Sequence, residues 1–169
     1  MRLAKAERIA GPGGGKQRME LVQGDLESAD LVALLQAHLD GMAALSPPES
    51  VHALGLEDLR RPEVTFWSLR QDGDLLGCGA LKELDPSHGE IKSMRTAERH
   101  LRKGVAATLL RHILAEAKAR GYRRLSLETG STEGFAAAQT FYERFGFVDC
   151  APFGDYRADP YSRYMTLEI

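Results

Sequence analysis

Cysteine is scarce in this chain: Cys78 and Cys150 are the only two among 169 residues. Two cysteines cannot build a disulfide framework or a paired zinc motif, and such usage fits a reducing, cytoplasmic compartment. The histidines, His38, His52, His88, His100 and His112, show no metal-ligand spacing with one another or with the cysteines, so no metal site is expected. No apolar run approaches the length that spans a bilayer, and no membrane partner is expected. The opening Met-Arg-Leu-Ala-Lys-Ala-Glu-Arg carries charge with no apolar stretch behind it, which argues against a secretory signal. An excess of one charge is also missing. The 22 Lys and Arg against 24 Asp and Glu leave −2, without the global positive field or interleaved aromatics of a nucleic-acid binder.

What is present is 43% apolar and 27% charged residues, the balance of one globular domain with a single core. The first 18 residues differ from the rest. They hold Arg2, Lys5, Arg8, Lys16 and Arg18 against Glu7 alone, a net +4 that leaves −6 for residues 19–169. Gly11-Pro12-Gly13-Gly14-Gly15 sits inside them, a run costly to order, so residues 1–18 read as a flexible extension and Met19 as an alternative start. A phosphate loop at Lys16 fails, because Ala10 replaces the first glycine and Gln17 the Ser or Thr.

From Met19 the pattern is mixed α/β without internal repeats. After a short strand at 19–23, Ser28 offers an N-cap to a helix whose stripe is Leu31, Leu34, Leu35, His38, Leu39 and Met42. Gly41 and Ser46-Pro47-Pro48 close it. A hairpin follows, Val64–Leu69 and Leu75–Leu81 around Asp72-Gly73-Asp74, and then a strand over His88–Thr96. Ala106, Leu109, Leu110, Ile113, Leu114 and Ala117 mark one face of a long helix that Gly121 ends. A half-buried strand over 125–129, a helix over about 134–144, and closing strands at 147–150 and 162–167 complete the order.

The junction between strand 88–96 and the long helix carries the chemistry. The first turn of a helix has unsatisfied N–H groups and a positive dipole end, which together bind phosphate. Gly104, with Ala106 close behind, lets a bulky anion approach the backbone. Arg95, Arg99, Arg102, Lys103 and Arg111 stand there against Glu98 alone, a local +4. A solvated basic helix face is the plainer alternative.

The six residues Leu101-Arg102-Lys103-Gly104-Val105-Ala106 resemble the (Arg/Gln)-x-x-Gly-x-(Gly/Ala) hallmark of the Gcn5-related N-acetyltransferase (GNAT) family. Ala138-Gln-Thr-Phe-Tyr142-Glu-Arg-Phe-Gly146-Phe147 matches the family's Ala-x-x-x-Tyr-x-x-x-Gly-Phe. With Glu90–Thr96 and Leu125–Ser131, the combination looks like the bacterial YsnE-like subgroup. The resemblance covers residues 19–169. It implies the acyl-CoA N-acyltransferase fold: a mixed, mostly antiparallel α/β sheet of six or seven strands with one splayed parallel pair, flanked by helices. Leu101 departs from the family's Arg or Gln, and Phe135 stands where many members carry an Asn.

The resemblance implies acetyl-CoA as co-substrate and a small-molecule or amino-acid-like amine acceptor, with direct transfer in a ternary complex. It places the cofactor between strands 88–96 and 123–129. Backbone groups around Met94, Arg95 and Thr96 would hold pantetheine and the thioester oxygen. Arg102, Lys103, Gly104, Val105, Ala106 and Thr108 would hold the pyrophosphate, and Phe135 and Ala138 would contact the pantetheine arm. Tyr142 would protonate the departing sulfur. A substrate ammonium has a pKa of about 10 and must lose a proton before attack. Glu90 and Glu128 are the two candidate bases on the cleft strands, although both also fit exposed strand carboxylates.

His38 lies on the apolar face of its helix, where a core histidine is the simpler reading. His52 sits in a region that shapes the acceptor pocket in this family. Cys78 reads as a small strand residue, not a nucleophile, because no His is placed to activate it. In the loop 152–161, Arg157 can pair with a substrate carboxylate, and Asp155 or Asp159 can instead hold an ammonium. Acetylation of a protein N-terminus or lysine, and a non-catalytic acyl-CoA-binding module, are the rival readings. A homodimer is compatible with the family and not demanded by composition.

Overall fold

Alternating apolar residues place most of the strands in one sheet, described here from a computed structural model covering residues 5–10 and 18–169. The strands are β1 (Lys5–Ala10), β2 (Arg18–Gln23), β3 (Val64–Gln71), β4 (Asp74–Asp85), β5 (His88–Thr96), β6 (Arg124–Gly130), β7 (Val148–Asp149) and β8 (Ser162–Glu168). Their order across the sheet is β1-β2-β3-β4-β5-β6-β8-β7, and β5–β6 is the parallel pair among antiparallel neighbours.

The eighth strand corrects the sequence reading. Residues 5–10 do not form a flexible extension but pair along their whole length with β2, from Lys5↔Gln23 to Ala10↔Arg18. Lys5 to Arg8 are exposed and Ile9 alone packs toward the core, so an edge strand with solvated side chains shows little apolar alternation. The Gly-rich run at 11–15, Lys16 and Gln17 lie outside the described residues.

Four α-helices cover the two faces: α1 (Ala29–Leu45), α2 (Leu56–Leu59), α3 (Val105–Ala119) and α4 (Ala136–Arg144). Leu31 and Leu35 of α1 and Leu59 of α2 pack with Phe66, Leu75, Cys78 and Ala80 on one side of the sheet. Leu109, Leu110 and Ile113 of α3 and Tyr142 of α4 pack with Leu69, Leu81, Leu125, Leu127 and Met165 on the other. The Cys78 thiol, sealed in the α1-side core, is pushed up to about 12 by burial, as suits a packing residue.

Ser28 occupies the N-cap of α1 as expected, yet its hydroxyl does not cap the helix; it donates to Asp25. That carboxylate also accepts from Ser68 Oγ at 2.9 Å and from Arg70 Nη2 at 2.8 Å, while Arg70 Nη1 reaches Asp30 at 2.7 Å. The start of α1 is thereby fastened to β3 across the sheet face.

Candidate active site

The site begins where a ladder stops. β5 and β6 pair only at His88↔Arg124, Gly89↔Leu125 and Glu90↔Ser126. Beyond them β6 continues with β8 as far as Gly130↔Ser162, and β5 continues with β4 as far as Gly77↔Thr96, so the two facing edges part. A bulge bends β5 at this point: Ser93 and Met94 stand opposite Gly79 alone, between Ala80↔Lys92 and Cys78↔Arg95. Ser93 takes φ 54 to make it. Gly79 permits it, because a Cβ there would lie 2.5 Å from Met94 Sδ.

A cavity of about 870 Å³ opens in the gap and reaches both faces of the sheet. On the α3 side its wall includes Arg102, Gly104, Val105, Ala106, Phe135, Ala138 and Tyr142. On the α1 side it includes His38, Gly41, His52, Lys92, Arg95 and Glu128. Arg102 and Gly104 adopt left-handed φ of 61° and 79°, turning the chain into α3. Gly104 is the N-cap and supplies no side-chain cap, so the first-turn N–H groups of this 15-residue helix are available to an anion. Gly77 admits that turn, since a Cβ would stand 2.7 Å from the Arg95 carbonyl. The Phe135 ring occupies the space a Cβ on Gly130 would fill and lines the cavity.

Of the residues singled out from sequence, Met94, Arg95, Thr96, Arg102, Gly104, Val105, Ala106, Phe135, Ala138, Tyr142, Glu128 and His52 converge on this one cavity. Lys103, Thr108, Glu90 and Arg157 do not line it. Lys103 points to His100, and the Thr108 hydroxyl donates 2.8 Å to the Gly104 carbonyl within its own helix. Arg157 is exposed on its loop, and its carbonyl accepts from the Tyr164 hydroxyl at 2.6 Å. Glu90 is 3% exposed and holds Lys92 Nζ at 3.0 Å and the Tyr156 hydroxyl at 2.5 Å. A carboxylate with both neighbours already bound to it is placed to position Lys92, not to collect a proton from the cavity.

Tyr142 and Glu128, the two remaining acid–base candidates, both have raised pKa values. Burial raises the Tyr142 hydroxyl, so it keeps its proton at neutral pH. Burial also raises Glu128. Three buried side-chain atoms have no hydrogen-bond partner among the described residues and belong to residues on the cavity wall: His38 Nδ1, Ser93 Oγ and Arg95 Nε. Burial first, and then the charge of Arg95, pull His38 down to about 4. Sequence reasoning missed Lys92 and Tyr156 altogether; their contacts join residues 64 apart, which no local pattern announces.

The Acetyltransferase (GNAT) family model matches residues 31–147. The chain belongs to this family. It is 59% identical over 145 residues to the N-acetyltransferase YsnE of Bacillus subtilis, covering 86% of this chain and 96% of that protein. It is 53% identical to the N-acetyltransferase YedL of Escherichia coli, covering 86% and 91%. The GNAT fold is shared with an acetyltransferase from Elizabethkingia anophelis solved with acetyl-CoA bound, at TM-score 0.64 and 18% identity over 89% of this chain and 98% of that one. This GNAT chain is thus an acyltransferase of the YsnE-like subgroup, with the parted strand pair of its fold in β5 and β6.

Proposed function

We propose that this GNAT protein transfers an acetyl group from acetyl-CoA to the primary amine of a small-molecule or amino-acid-like acceptor, by direct attack in a ternary complex. The observation that carries the reading is one cavity with a proton-bearing Tyr142 on one face and a half-buried Glu128 on the other, opening where β5 and β6 separate. The uncapped start of α3 fits the anionic end of a long co-substrate.

The first-turn amides of α3, with Arg102 beside them, hold the pyrophosphate. The unpaired edge of β5 at Met94 and Thr96 offers backbone groups to the pantetheine amides and the thioester oxygen. Phe135 and Ala138 pack on the arm, an apolar contact replacing the Asn hydrogen bond of many relatives. Bound acetyl-CoA supplies an activated acyl carbon, to which the amine nitrogen bonds as the carbon–sulfur bond breaks. Glu128 takes the proton that the amine gives up, directly or through water, and Tyr142 gives its proton to the sulfur.

Thermal melting with acetyl-CoA, CoA and ADP, followed by a thiol-release screen of amines, tests this reading. Ligand at about 100 times Kd stabilises by roughly 2.7 kcal/mol, several degrees for a domain of this size. Gly104→Glu should abolish that shift by placing a strained, like-charged side chain at the phosphate site. No shift with any of the three ligands at millimolar concentration defeats the proposal.

A further inference from the structure

Arg95 extends from β5 onto the α1 face of the sheet. Its cross-strand partner is Cys78, a member of the α1-side core, and directly paired residues project to the same face. The guanidinium therefore lies across the sheet from the start of α3. Nη1 is 3.8 Å from the point where a Cβ on Gly41 would stand, so the guanidinium lies alongside α1.

Its neighbours leave it uncompensated. Arg70, Arg120 and Arg163 each meet carboxylates at 2.6–2.9 Å, whereas Arg95 makes no ion pair among the described residues and its Nε is buried without a partner. Lys92, the other cation on this part of the wall, is neutralised by Glu90. A guanidinium on a cavity wall with no counter-charge and a buried Nε left unpartnered is a free donor for an anion that enters the cavity.

We infer that Arg95 is the anion receptor of the acceptor half of the cavity, and that the amine substrate carries a carboxylate. This rests on the acetyl-transfer reading above and names its substrate class. The neutral ring of His38, with Nδ1 also buried and unpartnered, stands ready as a second polar contact. One guanidinium plus one neutral group matches a planar monoanion held bidentately; a dianionic phosphate asks for further cations. Glu128 pairs with Tyr164, while its neighbours Leu127 and Met165 pack on the α3 side, so its carboxyl shares the α1 face with Arg95. The same face thus presents a cation for the acid group and an anion for the ammonium of an amino-acid-like molecule.

The test uses the full chain, acetyl-CoA, and the common L-amino acids each matched with its carboxamide, which keeps the amine and side chain and removes the charge. The best carboxylate should exceed its carboxamide by about 10–100-fold in kcat/KM, the range of a charge-assisted hydrogen bond. Arg95→Gln should erase that preference through KM for the acid and keep the melting shift with acetyl-CoA; Arg95→Lys should restore part of it. Equal use of acid and amide by the unmodified protein overturns the inference. So does an Arg95→Gln variant that loses the acetyl-CoA shift, which would give Arg95 to the cofactor. If acetyl-CoA binds but no amine releases thiol, transfer itself has failed. The receptor is then judged by melting of the CoA-loaded protein with N-acetyl-amino acids against their amides. Stabilisation by the acids that Arg95→Gln removes supports the receptor, and its absence overturns it.

Discussion

The Tyr156 hydroxyl lies 2.5 Å from Oε1 of Glu90, and Lys92 Nζ reaches the same oxygen at 3.0 Å. Burial and the Glu90 charge raise the tyrosine, so it remains a donor over the physiological range. Lys92 donates to that hydroxyl at 2.8 Å, closing a three-membered ring of contacts behind the cavity wall. The loop that carries Tyr156 is thereby locked to the last rung of the β5–β6 ladder. His52 meets the Tyr156 ring edge-on at a centroid distance of 5.0 Å and belongs to the same assembly.

Tyr156→Phe should lower the melting temperature at pH 7 by roughly 3–10 °C, because it strips a buried carboxylate and a buried ammonium of a shared partner, a loss of about 1–3 kcal/mol. His52→Ala, which removes only a ring contact, should cost about 1 kcal/mol or less. Thermal denaturation of both variants makes the comparison. Equal losses would mean that the hydroxyl bonds contribute little.

Tyr142→Phe should cut kcat by about 100-fold or more while acetyl-CoA still stabilises the protein, since the variant keeps the ring's packing against Phe141 and Phe147 and loses only the transferable proton. Thiol release and thermal shift on one preparation separate the two effects. Unchanged turnover would remove Tyr142 from the chemistry.

Glu128 must be ionised to accept a proton, and burial raises it above the ordinary carboxylate range. Activity at low pH should therefore rise with pH through that elevated pKa, along a limb in kcat/KM that Glu128→Gln lacks. The signature to look for is the acid limb of a pH–rate profile; its survival in Glu128→Gln would assign the base elsewhere.

Asp25 works the other way. Burial would raise it, but hydrogen bonds from Ser28, Arg70 and Ser68 outweigh burial and hold its carboxyl low. Asp30 is lowered first by its hydrogen bond from Arg70. A carboxyl lower in the folded than in the unfolded chain contributes stability that is full above the unfolded pKa of about 3.9 and is lost as pH falls through the folded value. Asp25→Asn should lower the melting temperature at pH 7 and flatten its acid dependence below about pH 4. Melting curves between pH 2 and pH 7 would show both effects.

Much of this architecture was legible. Strand β5 reads from sequence as 88–96, the bounds it has, because a turn precedes it and a basic helix start follows. The long helix was legible from its unbroken apolar face, and it gains only a residue or two at each end. Tyr142 and Gly104, which line the cavity, stand out in sequence because their motifs are local. What escaped was non-local or unpatterned. β1 has charged, exposed side chains and needs β2 to exist. The bulge at Ser93 depends on a glycine one strand away, and the exposed position of Arg157, like the lack of an ion pair to Arg95 among the described residues, is decided by which side chains the fold does not bring near.

The end of the β5–β6 ladder divides the cavity by material as well as by position. One half sets main-chain groups among its side chains: the loose edge of β5, the left-handed turn at Gly104, the first amides of α3. The other half is defined by side chains, His38, His52, Arg95 and Glu128, mounted on a helix, a loop and two strands. Substitution leaves the main chain's donors and acceptors in place but rewrites side chains freely. Descendants of such a chain can exchange one acceptor for another without relearning how to hold the donor, and diversification of substrate range is the evolutionary freedom this asymmetry grants.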